Sequence, residues 1–200
     1  MKLLHNEPNR CSICGKLLIA PMGNPHSPIL LVGDFPGYYE TKVNSPVAFR
    51  SKPTETRSGD ILKDELLKVG IMLNGVLVTN LWQHQKAYKT ETTITKTGKE
   101  KSKQVEACPL AWHLDQLVNL FQDRTHVLLM GSDVTQALLG EKVGSLSGLR
   151  VYPPALPKSK IHFWVSPNPA LAFSQPIGEL RLAFSRFAED VQGKKKVKIK

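Results

Sequence analysis

The stretch Pro28-Ile-Leu-Leu-Val-Gly33-Asp-Phe-Pro-Gly37 decides the fold of this chain. Its first half is a short run of branched apolar residues, which is typical of a strand buried on both faces of a sheet. Its second half is a turn with two glycines and one proline, and it carries the acidic side chain Asp34. A buried strand that ends in a polar turn predicts a parallel sheet with its chemistry at the strand ends.

Further apolar runs along the chain predict the rest of the sheet. Strands are expected at 76–80, 126–131, 149–152 and 161–166. Amphipathic helices are expected at 60–69, 109–122, 133–139 and 177–191. This alternation favours an α/β fold with three layers, α/β/α, around a central, mostly parallel sheet of four to five strands. Residues 81–107 are predicted to form one long polar loop, which is unusual unless it is functional or mobile.

Length and composition limit the class of protein. A chain of 200 residues that is 41% hydrophobic can form one domain with a full core, which we place at residues 1–192. No stretch approaches the ~20 apolar residues that span a bilayer, and the N-terminus lacks the pattern of a signal peptide. We therefore expect a cytoplasmic protein in a reducing compartment, and we take it to be a monomer.

The positive charge is concentrated in two segments. The net charge is +10, and the lysine-rich loop at 85–107 holds six lysines, which exceed its acids by four between Lys86 and Lys103. The segment 193–200, predicted to be a basic disordered tail, adds five lysines and no acid. Such concentration predicts affinity for a phosphate backbone, and DNA is the expected partner. The alternative is a solvated loop and a solubilising tail.

The three cysteines and one histidine form a split set of metal ligands. Cys11 and Cys14 have Cys-x-x-Cys spacing, whereas His84 and Cys108 flank the lysine-rich loop. In a reducing compartment this spacing indicates a metal site or a redox pair rather than a structural disulfide. Two thiolates with two distant soft ligands suit an iron–sulfur cluster or a tetrahedral zinc ion. The alternative for His84 is a solvated loop histidine.

Polar or aromatic side chains follow each of four predicted strands. They are, in chain order, Asp34 with Phe35, Asn80, Ser132 and Asn168. Since the carboxyl ends of parallel strands meet at one edge of a sheet, these residues are predicted to line one crevice and bind a ligand. Two prolines fix the backbone around Asn168, which favours a positioned amide. Each motif alone is weak, because such residues often only bond to a turn backbone.

In this order and spacing, the motifs resemble the uracil-DNA glycosylase superfamily, in particular its iron–sulfur type, family four. That family shows a Cys-x-x-Cys start, a strand leading into Gly-Glu-x-Pro-Gly, a strand ending in Thr-Asn and a late His-Pro-Ala loop. The matching positions are Cys11, Cys14, 33–37, Glu40, 79–80, His84, Cys108, 131–140 and 168–170. The resemblance extends over about residues 11–191 and implies a 4Fe-4S cluster, with zinc as the alternative.

The resemblance implies an enzyme that flips uracil or a related deaminated base out of single- or double-stranded DNA and hydrolyses its N-glycosidic bond. Asn168 would stabilise the departing base anion, and Asn80 would bind the edge of uracil. Asp34 or Glu40 would orient a water or stabilise the cationic sugar. Leu171 would enter the vacated base stack.

Four positions depart from the family pattern. Asp34 stands for the Glu of the first motif, His84 for a ligand Cys and Asn168 for the late His. Phe49 is the candidate for the aromatic that stacks on uracil, though its surrounding stretch differs. The lysine-rich insertion also resembles that of a variant that cross-links to uracil through a histidine; none lies between His84 and Cys108, so trapping is not predicted. These departures leave two alternatives: a DNA-binding protein without efficient chemistry, or a zinc-stabilised nucleotide-binding protein outside repair.

Overall fold

A computed structural model describes residues 10–94, 97, 99–156 and 160–194. The predicted disordered tail falls almost wholly on residues 195–200, outside the described part of the chain. Eight strands, β1 to β8, span in order Met22–Gly23, Ile29–Gly33, Leu77–Asn80, Tyr88–Ile94, Glu100–Glu106, His126–Met130, Arg150–Val151 and His162–Ser166 within these residues. Six helices, α1 to α6, span in order Tyr38–Val43, Ser58–Lys68, Leu110–Asn119, Ser132–Leu139, Val143–Leu146 and Gly178–Val191 in the same residues.

The central sheet has the order β1-β3-β2-β6-β8-β7. Its four inner strands are parallel, and the two-residue strands at its edges are antiparallel. The α/β fold with a mostly parallel sheet between helices is therefore confirmed. The sheet has six strands rather than four to five because β1 is too short to leave a hydrophobic pattern in the sequence.

The core fills both faces of this sheet. Along β2, the side chains of Leu30 and Val32 belong to one buried cluster and Leu31 belongs to the other, as the twofold alternation of a strand requires. All three are fully buried, and burial of such side chains contributes roughly 1.5–3 kcal/mol each. Helix α6 covers the second face with Leu180, Ala183, Phe184 and Phe187, whose spacing matches the helical period.

The predicted long loop at 81–107 is wrong. Strands β4 and β5 form a separate antiparallel ribbon over most of this segment. Thirteen of their fourteen residues are exposed, so the ribbon has no buried face and no apolar alternation to reveal it. The clustered threonines of β4 were the available signal, since threonine favours strands.

Two shorter elements differ from the expectation. Helix α1 begins directly after the Gly37 turn, within a segment that had no predicted element. Helix α4 begins at Ser132 itself with Gly131 as its N-cap, so the Ser132 side chain makes no cap hydrogen bond. Among the described residues, no helix is long and apolar enough to cross a membrane.

Candidate functional site

The split ligand set comes together in space. The ligand atoms of Cys11, Cys14, His84 and Cys108 all lie within 4.8 Å of one another. The Sγ atoms of Cys11 and Cys108 are 3.6 Å apart, and Cys14 Sγ lies 3.6 Å from His84 Nε2. Two of the sulfur ligands and the histidine are buried, and only Cys14 is partly accessible. These four residues can hold a metal centre, as their spacing predicted.

A tight turn places the first two ligands. Cys11 N–H donates to the Lys16 carbonyl and Gly15 N–H donates to the Cys11 carbonyl, both at 2.8 Å. Gly15 has a φ of +70°, a conformation that glycine adopts without strain. Burial opposes ionisation of the Cys11 thiol, but the backbone N–H groups of Cys14 and Ile13 outweigh it and lower its pKa. Burial, with the nearby Cys14 and Cys11 sulfurs, raises the pKa of Cys108 to about 12. A bound cation would favour the thiolate form of both cysteines.

His84 is oriented as a metal ligand. Its Nδ1 lies 2.8 Å from the Gln85 carbonyl, so Nδ1 carries the proton and the lone pair of Nε2 faces the sulfurs. The side chain is 1% exposed, which excludes the alternative of a solvated loop histidine. With Nδ1 on the Gln85 carbonyl, Nε2 is the ring nitrogen that can bind a metal ion together with the Cys14 sulfur 3.6 Å away.

The ligand spacing fits one ion better than a cluster. Tetrahedral zinc, with Zn–S bonds of ~2.3 Å, places its sulfur ligands roughly 3.8 Å apart. The 3.6 Å between Cys11 Sγ and Cys108 Sγ agrees with that geometry. The 3.6 Å between Cys14 Sγ and His84 Nε2 agrees as well, since Zn–N bonds are shorter, at ~2.0–2.1 Å. In a four-iron cluster each ligand binds a different iron, which places the ligand atoms farther apart. The four residues can hold a metal ion or a cluster, and these two separations are those expected around one ion.

Aromatic rings enclose the ligands on the α3 side. His113 is fully buried, and its ring centroid lies 4.6 Å from Trp82, 4.7 Å from Trp112 and 4.8 Å from His84. Neither ring nitrogen of His113 has a hydrogen-bond partner within the described part of the chain. Burial, with the nearby His84, lowers the pKa of His113 to about 4, so the ring is neutral at pH 7. His113 thus covers His84 on this side, and the two tryptophans pack against His113 in turn.

A crevice opens at the carboxyl ends of the parallel strands. It has a volume of about 480 Å³, within the usual range of ligand sites. Seven of the eight residues predicted for catalysis or substrate binding line it: Asp34, Phe35, Glu40, Asn80, Ser132, Asn168 and Leu171. Phe49 does not; it lines a separate apolar groove with Met72 and Leu67.

Asp34 is held between the crevice and helix α4. Its Oδ1 accepts a 3.0 Å hydrogen bond from Val134 N–H in the first turn of that helix. A Cβ atom on Gly131 would lie 2.1 Å from Asp34 Oδ2, so glycine is required where the carboxylate approaches the backbone. Burial raises the pKa of Asp34 above its ordinary value, although Val134 N–H and the Asn168 side chain act in the opposite direction.

Asn80 lies at the end of β3 with its amide held in a fixed orientation. Its Nδ2 donates to the Pro46 carbonyl at 3.3 Å, and a Cβ on Gly33 would lie 2.4 Å from its Oδ1. Gly33 thus leaves room for the amide at the floor of the crevice. Since an amide has two N–H donors and one carbonyl oxygen, one donor remains besides the bond to Pro46.

The last two predicted catalytic residues have their own supports. Asn168 is the N-cap of a 3₁₀ turn at Pro169–Phe173, and its Oδ1 accepts from Ala170 N–H at 2.9 Å. The Asn168 side chain also lies near Asp34, where it opposes the rise that burial causes in the pKa of that carboxyl. Glu40 accepts a 3.0 Å hydrogen bond from Ser58 Oγ at the start of α2.

The sequence reasoning missed several residues of the crevice wall. Tyr38, Tyr39, Arg57 and Phe173 also line the cavity. The Tyr39 ring lies under the Arg57 guanidinium, whose central carbon is 3.3 Å from the ring centroid. Tyr38 and Tyr39 follow the Gly37 turn directly, and two consecutive aromatics at a strand-end loop were the available signal.

Comparison with known proteins agrees with this architecture. A search of the curated proteins found no match to the sequence. The family model described as the uracil DNA glycosylase superfamily matches residues 20–192, which is most of the chain. Members of this superfamily are in general hydrolases of N-glycosidic bonds that act on DNA. The six-stranded sheet and the strand-end crevice are typical of that fold, and the chain belongs to the uracil DNA glycosylase superfamily.

Proposed function

We propose that this protein is a DNA glycosylase that removes uracil, or a related deaminated base, by flipping it into the crevice and hydrolysing its N-glycosidic bond. The observation that carries the proposal is the meeting of Asp34, Asn80 and Asn168 at the ends of β2, β3 and β8, in one cavity of a superfamily member. A base inside a duplex is inaccessible, so the nucleotide must leave the stack before reaction.

Recognition of the base is assigned to Asn80. Its amide can accept from the N3–H of uracil and donate its remaining N–H to a carbonyl oxygen of the ring. The fixed orientation supports this role, because the bond to Pro46 and the close Gly33 prevent the amide from turning. A site that binds this edge leaves its buried polar groups unpaired with cytosine, which is the basis of selection.

Bond cleavage needs a donor where negative charge develops on the base. Asn168 Nδ2 is the candidate donor, and its capping bond to Ala170 fixes its orientation. The bond between base and sugar breaks with both electrons leaving on the pyrimidine, so a cationic sugar remains. Asp34 and Glu40 face the cavity as carboxyl groups that can stabilise this cation and orient the attacking water. The water adds to the sugar carbon and its proton is released to a carboxylate or to solvent.

Leu171 is assigned the role of filling the gap that the flipped base leaves in the stack. It lies in the 3₁₀ turn after Asn168 and lines the rim of the crevice. An apolar side chain there can enter the stack and reduce the cost of extrusion. The exposed rings of Phe35, Tyr38 and Tyr39 line the cavity wall and replace Phe49 as candidates for stacking on the flipped base.

A second candidate function is DNA binding without efficient chemistry. The contacts of Asp34 favour it, because its carboxylate already accepts a hydrogen bond from Val134 N–H. A carboxylate that is hydrogen-bonded to the protein has less capacity left for the substrate. Loss of one charge-stabilising donor typically costs 10²–10³ in rate, or roughly 3 kcal/mol.

Incubation with single- and double-stranded oligonucleotides that contain one uracil, followed by alkali, separates the two candidates. Strand cleavage at the uracil is expected, and its absence at high enzyme excess would reject the glycosylase. Asp34→Ala should abolish cleavage, whereas Asp64→Ala, a matched change of an exposed acid on α2, should not. If both variants cleave as the wild type does, Asp34 has no catalytic role.

We further propose that the metal centre is structural and holds one zinc ion, instead of the 4Fe-4S cluster of family four. The ligand separations of 3.6 Å support this, as does the closed, four-ligand arrangement. Bound zinc would cross-link the N-terminal turn to the ribbon and would take no part in the chemistry on the base. A colourless protein with one zinc per chain is expected; a brown protein with absorbance near 400 nm would reject it. Because its substrate would be DNA, we also propose that the protein is a cytoplasmic, nucleoid-associated monomer.

A further inference from the structure

The ribbon formed by β4 and β5 is exposed over nearly all of its length, and at its base it lines a groove with Ile13 and Lys16 of the N-terminal turn. Both faces are exposed apart from Val105, so burial of the ribbon adds little to the stability of the fold. An isolated two-stranded ribbon is at best marginally stable in water. Since burial adds little to the stability of this ribbon, its charge distribution is the feature that indicates a role.

The register of the ribbon places three lysines on one face. Directly paired residues share a face, and the pairs alternate between the two faces. Lys89 pairs with Val105, Lys103 with Glu91, and Lys101 with Thr93, so all three lysines lie on the same side. The ion pair between Lys89 and Glu91 has a length of 3.0 Å, and both side chains are more than half exposed. Such a surface pair is worth little, so a phosphate can replace the carboxylate.

The opposite face carries no lysine: its middle is uncharged, and Glu106 and Glu100 lie at its two ends. Thr90 pairs with Gln104 and Thr92 pairs with Ser102, whose hydroxyls lie 3.3 Å apart. The segregation of lysines from these uncharged side chains is not needed for solubility, since either face would be solvated. It gives the ribbon one cationic side, on which the three lysines span four residue steps, or roughly 13 Å at ~3.3 Å per residue.

The metal centre fixes the base of the ribbon. His84 lies four residues before β4, and Cys108 lies two residues after β5, so one metal ion would join the two strands where they leave the domain. Ala107 N–H donates to the Ala87 carbonyl at 2.7 Å and closes the base between them. The metal ligands therefore contribute to the direction of the ribbon by joining its two strands at the base.

One lysine joins the base of the ribbon to the rim of the crevice. Lys86 Nζ lies 3.2 Å from Glu106 at the end of β5 and 2.6 Å from Asp133 in the first turn of α4. The same ammonium lies 5.5 Å from the ring centroid of Phe35, which lines the crevice. These carboxylates outweigh burial and raise the pKa of Lys86, so it stays charged. The ribbon thus starts beside the place where a flipped base would enter.

We propose that the ribbon is a second DNA-binding surface, with Lys89, Lys101 and Lys103 on the phosphates of the duplex that flanks the flipped nucleotide. The proposal rests on the proposed function for the identity of the partner. The width of a two-stranded ribbon is one that the major groove of B-DNA admits, and the phosphates border that groove. The metal ion then acts on DNA binding indirectly, because it orients the ribbon relative to the crevice.

Two matched variants test the proposal. The first replaces Lys89, Lys101 and Lys103 by alanine; the control replaces Thr90, Thr92 and Gln104 on the opposite face by alanine. Binding to a uracil-free duplex is measured across a salt series. The salt dependence of log K should fall by about one for each lysine that contacts a phosphate, so by about three in the first variant. The control should keep the slope of the wild type.

An unchanged slope in the lysine variant would overturn the proposal, as would an equal decrease in the control. A decrease seen only with single-stranded DNA would reject the duplex as the partner. Zinc content and melting temperature should stay at wild-type values in both variants, since all six side chains are exposed. Excision from a uracil oligonucleotide of about five residues, too short to reach the ribbon, should be equal in all three proteins. Absence of excision in all three would contradict the glycosylase alone, because the binding slopes do not depend on it.

Discussion

The metal centre and the crevice are both built from polar side chains that distant segments bring together, but they differ in how those side chains are used. At the metal centre four donor atoms lie within 4.8 Å of one another and point to one position. In the crevice the polar groups spread around a cavity of about 480 Å³. The first arrangement is closed, with three of four ligands nearly inaccessible to solvent, and the second is open.

This difference separates a role in stability from a role in chemistry. A closed set with four protein ligands leaves a metal no position for substrate, which is the pattern of structural zinc sites. An open cavity with unused donors can bind a ligand but adds little to folding. Changes at the metal centre should therefore unfold the protein, and changes in the crevice should stop the reaction in a folded protein.

The largest effect is expected for Cys108→Ser. Loss of one thiolate weakens metal binding, and the energy of metal binding is folding energy for such sites, so we expect a loss of several kcal/mol. Thermal unfolding with and without a chelator measures it: the chelator should lower the melting temperature of the wild type and hardly change the variant. Ser12→Ala, at an exposed position between the first two ligands, is the control. An unchanged melting temperature in Cys108→Ser would show that the centre is not structural.

The next effect tests the crevice. Asn80→Ala should lower the rate of uracil excision by a hundredfold or more, because a positioned recognition group is lost. Its free energy of unfolding should fall by only about 1 kcal/mol, the usual worth of one hydrogen bond. Single-turnover excision and denaturant unfolding measure the two quantities on the same samples. Asn119→Ala, an exposed amide at the end of α3, should change neither. If Asn80→Ala unfolds the protein instead, the two regions do not differ as proposed.

The two regions also differ in how far the sequence could predict them. The four metal ligands were predicted from spacing and chemistry alone, since the chain offers no other cysteines. Five crevice residues, Asp34, Phe35, Asn80, Ser132 and Asn168, followed from a rule of parallel sheets, because strand ends converge whatever the loops do. Glu40 and Leu171 came from the family resemblance alone. Phe49 was misplaced because loop conformation decides which way its ring points, and no periodicity reports that.

The ribbon was missed for a related physical reason. Secondary structure is visible in a sequence mainly where one face is buried, and β4 and β5 have no such face. Tyr38 and Tyr39 were missed because a helix of six residues without buried side chains leaves no pattern either. Elements with a buried face are predictable from the sequence, whereas elements without one, such as this ribbon and α1, are not.

A gain of function sharpens the assignment of the donor. Asn168→His places an imidazole where the family pattern has one, and we expect uracil excision to increase about tenfold. This is less than the roughly 10²–10⁴-fold that a well-positioned acid–base group contributes, because the amide already supplies a donor. The cap to Ala170 N–H is lost, at a cost of about 1 kcal/mol in stability. Single-turnover rates of the wild type, Asn168→His and Asn168→Ala measure it. If the histidine variant is as slow as the alanine variant, the amide itself is the donor that this crevice requires.

The smallest effect concerns the charge on Asp34. Burial raises the pKa of its carboxyl, so folding favours the protonated form, and the stability linked to it is lost as the pH rises through that pKa. Asp34→Asn removes this loss while its amide oxygen can still accept from Val134 N–H. Its free energy of unfolding at pH 7 should exceed that of the wild type by about 1 kcal/mol or less, as single substitutions usually do. The difference should shrink as the pH falls toward ~3.9, the ordinary carboxyl pKa.

Denaturant unfolding between pH 4 and pH 7 measures this difference in stability, with Asp64→Asn as the exposed control. A variant less stable than the wild type at pH 7 would mean that the ionised carboxylate gains more from Val134 than burial costs, and that Asp34 belongs with the stabilising groups rather than with the reacting ones.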